Sequence, residues 1–129
     1  MMKRILAGAA LVAICAAPPP LSAQQPQPAA GASSDFTLTG QVIDMNCYVT
    51  MGASGAAHKQ CAAACAKAGV ALAILGSDGN VYMPVSRKPA DPQNSRLVPF
   101  AEARVKITGT HRMSSGIHTI EIKTIEAAT

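Results

Sequence analysis

Four side chains between positions 47 and 65 have the types and spacing to hold a metal ion: Cys47, His58, Cys61 and Cys65, in the pattern C-x10-H-x2-C-x3-C. Thiolate sulfur and imidazole nitrogen are soft to borderline donors. Three of one and one of the other make a tetrahedral Cys3His set, which fits zinc and also suits Cu(I). Residues 54–68 are nearly all Ala with Gln, Lys, His and Cys. They read as one short helix, with Ser54 as N-cap, Lys67 in the last turn and Gly69 as the stop. At about 100° per residue, His58, Cys61 and Cys65 project within an arc of roughly 60° on one face of such a helix. Cys47 lies in the loop before it, and Gly52 and Gly55 let that loop fold back. The spacing is not that of the common zinc fingers.

The same sulfurs support other chemistry. If the leader described below is removed, Cys15 goes with it and three cysteines remain, an odd number. In an oxidising compartment Cys47 bridged to Cys61 or Cys65 staples the loop, a stabilisation of about 2–4 kcal/mol, and the third cysteine packs as a small apolar residue. A bridge between Cys61 and Cys65 strains helical geometry. A redox-active pair is a weaker reading, because C-x3-C lacks the C-x-x-C context. The position of His58 separates these readings: a ligand faces the thiols, whereas a surface residue faces water. His58 also stands three residues before Cys61, where it could activate a thiol. Because no third group that would orient such a base is evident, the chain is expected not to be an enzyme.

A second cluster follows from parity in the final hairpin. Val105, Ile107, Gly109, His111 and Met113 share one face, and Ile120 and Ile122 put His118 on theirs. A two-residue turn at Ser115-Gly116 sets Met113 opposite His118 and His111 opposite Ile120. Two imidazoles and a thioether then meet at one end of the sheet, a donor set that favours Cu(I) or Ag(I). Read blandly, Met113 fills a gap, as do Met45, Met51 and Met83, and both histidines sit at a wet strand end.

The elements that position these groups are mostly strands. Phe36, Leu38 and Val42 alternate, with Gly40 in phase, so residues 36–43 form a strand with a bend at Gly40. After the helix, residues 70–75 and 81–85 read as strands joined by the hairpin residues Ser77-Asp78-Gly79-Asn80, with Pro84 suggesting an edge. Asn94 caps a brief turn that buries Leu97 and Phe100 and is cut short by Pro99. Residues 104–113 and 117–125 complete five strands. So many strands with so little aromatic bulk favour a sheet closed on itself. The expected fold is mainly β with one short helix, a small five-stranded OB-like barrel with that helix inserted after the first strand. The phrases Leu38-Thr39-Gly40-Gln41-Val42-Ile43 and Val105-Lys106-Ile107-Thr108-Gly109-Thr110 resemble those of small exported bacterial OB-fold domains. The resemblance implies a fold and no function.

Composition bounds the rest. The chain has 129 residues and a formal charge of +4. Lys3 and Arg4 precede an apolar run at residues 5–17, followed by Pro18 to Pro20 and the small-residue end Leu21-Ser22-Ala23, the layout of a secretory leader over residues 1–23. Its apolar core falls short of the roughly 18 residues that span a bilayer, so no membrane span is expected. Residues 24–34, rich in Gln, Pro and Ala, form a tether, and 35–129 the OB-like domain. Val12-Ala13-Ile14-Cys15 resembles a lipoprotein box, which the Ala23 cut site outcompetes. Without Lys3 and Arg4, nine basic side chains face seven acidic ones. With only Phe36, Tyr48, Tyr82 and Phe100 as aromatics, there is neither a phosphate-tracking stripe nor a stacking platform for nucleic acid. The expectation is a periplasmic or secreted, non-enzymatic metal-binding protein, with a protein of the cell envelope as a further partner. The alternative is a disulfide-stapled OB-like interaction module with no metal.

Overall fold

Period-two alternation builds most of this molecule. The computed structural model describes residues 34–129, so the expected leader, Cys15 and the tether up to residue 33 lie outside the described residues. Five strands are present: β1 (Ser34–Asp44), β2 (Leu72–Gly76), β3 (Val81–Pro84), β4 (Arg104–Ser114) and β5 (Ile117–Ala127). They form a closed barrel in the order β1-β2-β3-β5-β4, with β4 returning to β1. All seams are antiparallel except the one between β3 and β5. Alternate residues of each strand point inward, and Leu38, Val42, Ile74, Val105, Ile107 and Ile120 are fully or almost fully buried there. Burying each such side chain is worth about 1.5–3 kcal/mol. Ser34, expected in the tether, already pairs with His111.

Gly40 is where the barrel turns its corner. It pairs with Gly76 on β2 and with Val105 on β4, and a side chain there would run into the Leu75 carbonyl. At the other hairpin, Ser115 and Gly116 both have positive φ (51° and 79°) and make the two-residue turn that the parity requires. Met113 accordingly pairs with His118, and His111 with Ile120. Pro84 is the last residue of β3, beyond the pairing with β2 that ends at Tyr82, so its missing N–H breaks no ladder. In the closed sheet it does not mark an edge.

The single helix expected between the first two strands is two. Helix α1 (Met45–Met51) comes first, then a 3-10 turn (Ala56–His58), then α2 (Lys59–Lys67). Asp44 caps α1 by accepting from the Cys47 amide at 3.0 Å, and Gly52, at φ 66°, ends it with its N–H on the Tyr48 carbonyl. A third helix, α3 (Asn94–Leu97), continues into a 3-10 turn (Val98–Phe100). Asn94 does not cap it; Gln93 holds that position. The Asn94 amide instead accepts from the Leu72 N–H at 3.0 Å and donates to the carbonyls of Val70 (2.7 Å) and Ala66 (3.2 Å). It thereby ties the end of α2 to the start of β2. Among the described residues no helix is long and apolar enough to cross a membrane.

Candidate metal centre

The capping of α1 by Asp44 sets Cys47 in its first turn, and α2 carries Cys61 and Cys65 one turn apart. The three sulfurs lie within 4.8 Å of one another. Two thiolates on one tetrahedral ion with bonds of about 2.3 Å stand about 3.8 Å apart, so small side-chain adjustments suffice for a shared ion. Cys47 is buried, Cys65 half-buried and Cys61 exposed, and all three are free thiols. The disulfide staple is therefore not formed.

Behind the sulfurs sits Asp44, fully buried. Its carboxylate, and then burial, push the Cys65 thiol up to about 12. Burial and then the Asp44 charge push the Cys47 thiol up as well. Both sulfurs therefore keep their protons at neutral pH, which makes them poor nucleophiles. A metal ion that bound them would have to displace those protons. Sequence reading passed over Asp44, although an Asp three residues before Cys47 at the end of a strand is a capping signal.

His58 does not join the three-sulfur group. Its Nδ1 lies 2.9 Å from Glu102 Oε1. Glu102 Oε2 in turn accepts from the Gly55 N–H at 2.7 Å and from the Gln41 amide at 2.8 Å. Glu102 is buried and adopts a positive φ of 59°. Nothing local in the sequence marks this residue, 44 positions away from its partner. In a neutral ring with Nδ1 donating to the carboxylate, Nε2 carries the free lone pair.

Among the described residues, two buried side-chain polar atoms have no hydrogen-bond partner by geometry: Asp44 Oδ2 and His58 Nε2. Both belong to residues that immediately precede the helices bearing the cysteines. Orphaned atoms of this kind cost about 1–3 kcal/mol each and call for a physical reason such as an ion.

The second set is held by the barrel itself. His111 Nε2 lies 3.0 Å from His118 Nδ1, and the rings stack with centroids 5.2 Å apart. Phe36 and Tyr82 pack against them, with centroids 5.0 and 5.5 Å from that of His111. Burial, and then the neighbouring imidazole, lower the His111 pKa. Met113 is 47 % exposed. No protein-family model, curated protein or solved structure matches this chain.

Proposed function

We propose that this is a non-enzymatic metal-binding protein of the periplasm or extracellular space, built on an OB-like barrel, that holds one zinc or Cu(I) ion on Cys47, Cys61 and Cys65. His58 Nε2 lies outside the three-sulfur group, and it would serve as the fourth ligand only by turning towards the ion on binding. The observation that carries the reading is the convergence of three free thiols within 4.8 Å, on helices each preceded by a residue with an orphaned polar atom. A carboxylate on one imidazole nitrogen, with the other left unpaired, is the arrangement by which ligating histidines are fixed and made more basic. Glu102 supplies the first half of that arrangement and the unpartnered Nε2 the second. The raised thiols argue against a catalytic nucleophile, since an activated cysteine has a lowered pKa. Export follows from the leader-like segment, and the ion serves storage, transfer or the stability of the helical corner.

Anaerobic purification of the exported protein, followed by native mass spectrometry and elemental analysis, tests this. About one ion per chain, with Cys61 protected from maleimide until a chelator is added, is the expected result. Metal-free protein containing a Cys47 disulfide and one reactive thiol would favour the stapled interaction module instead. His58→Ala should weaken ion retention while the barrel stays folded.

A further inference from the structure

Asp44 and Glu102 are the two buried carboxylates among the described residues, and they are kept in different ways. Glu102 is paired with His58 and accepts from the Gly55 N–H and the Gln41 amide. Asp44 accepts one bond, from the Cys47 amide to Oδ1 at 3.0 Å, and Oδ2 has no partner although the residue is wholly buried. A buried carboxylate ordinarily collects several donors or a cation. The sheet fixes its place: Asp44 ends β1 opposite Leu72, and the Met45 N–H that follows it donates to the Ala71 carbonyl. Both inner thiols register its presence, as the first cause of the raised Cys65 and the second of the raised Cys47.

Charge then distinguishes one ion from another. An ion on Cys47, Cys61 and Cys65 displaces three thiol protons and leaves three thiolates. With Asp44, four negative charges stand together, partly out of water. A divalent ion offsets two of them and Cu(I) only one. Charges a few ångströms apart in such surroundings interact strongly enough for one unit to change affinity by more than about 10-fold. The basic side chains of α2, Lys59 and Lys67, are exposed, where water and salt screen them. We propose that Asp44 is the ion-selecting residue of the thiol corner, biasing it towards a divalent ion such as zinc and against monovalent Cu(I). This rests on the metal-binding function proposed above and narrows its choice of ion. Three sulfurs alone favour Cu(I) by their softness, so the carboxylate works against the donors it stands behind. Asp44 lies outside the group of donors within 4.8 Å of one another, so it acts through its charge and not as a ligand.

The test compares wild type with Asp44→Asn and Asp44→Ser. Asn and Ser also cap helices, so α1 keeps its start in both variants. Apparent affinities for Zn²⁺, Cd²⁺, Cu⁺ and Ag⁺, each added alone to the reduced protein without oxygen, are read by competition with chelators. In both variants the two divalent ions should lose more than about 10-fold relative to the two monovalent ones. Comparing ions within one variant cancels the cost of removing the thiol protons, which they share. An unchanged preference in both variants would overturn the proposal. So would a loss that follows softness, with Cd²⁺ behaving like Cu⁺ and only Zn²⁺ weakened, since Asp44 would then be acting as an oxygen ligand. Wild type that binds none of the four ions would sink the metal-binding reading, and the selection with it.

Discussion

The thiol corner and the imidazole pair are two donor clusters among the described residues, set at opposite ends of the 11-residue β1. The imidazoles hang from two paired strands and satisfy one another. The sulfurs hang from two short helices inserted between β1 and β2, and their surroundings are left incomplete, with Asp44 Oδ2 and His58 Nε2 unpartnered. Donors carried on a ladder are placed by the ladder. Donors carried on short helices depend on what fixes the helix starts: Asp44 caps α1, whereas His58, ahead of α2, makes no capping bond and meets Glu102 instead.

That contrast can be broken most directly at the corner. Removing the ion with a chelator, or preventing its capture with Cys65→Ser, should lower the thermal midpoint and leave the β-sheet signal in circular dichroism unchanged. A ligand 1,000-fold above its Kd stabilises by about 4 kcal/mol, which sets the scale of the loss. Capture should release protons and strengthen as pH rises, because the Cys65 thiol, near 12, must give up its proton to the ion. Next in size is Asp44→Ala, which removes the cap of α1 at a cost of about 1 kcal/mol in urea unfolding. It should also bring the Cys65 thiol down towards its ordinary range, read from the pH dependence of maleimide labelling. Asp44→Asn should keep the cap and lose the charge, so the two effects separate.

The opposite end predicts a smaller effect with a pH signature. Hydrogen bonds from Tyr82 and then Asn80 hold the Asp78 carboxyl at about 2, and burial followed by Asp78 pushes the Tyr82 phenol up to about 12. Their ordinary values are about 3.9 and 10. A depressed carboxyl stabilises fully above its unfolded pKa, and that contribution fades as pH falls from about 4 towards 2. A raised phenol stabilises fully below about 10, and its contribution fades as pH climbs towards 12. Tyr82→Phe should flatten both arms of the stability profile measured by urea unfolding, with its loss of stability largest near pH 7 and shrinking towards both extremes. Met113→Leu should do least, within about 0.5 kcal/mol of wild-type stability in urea unfolding.

The same contrast explains what was legible in the residues alone. The final hairpin could be read to its register, because period-two parity and a two-residue turn leave one alignment in which both apolar faces agree. The clustering of the three cysteines was legible from their spacing. The orientation of His58 was not: the arc argument needs one α-helix through residue 58, but the chain there is a 3-10 turn and α2 begins at Lys59. The helical phase is lost across that junction, and the ring meets Glu102 instead. Helix α1 was missed because Tyr48, Val49 and Thr50 favour extended chain, although Asp44 and Gly52 bracket them as caps. The state of the sulfurs, thiol or disulfide, depends on geometry that spacing does not encode.

Closure of the five strands also limits how this protein can meet others. Every strand has a neighbour on each side, but β5 meets β3 only at His118, Thr119 and Ile120, and β1 meets β2 only from Gly40 to Asp44, so strand addition is confined to the second half of β5 and the first half of β1. Elsewhere an encounter with a macromolecule must be written in side chains, on the helical insert or on the loops around the rim.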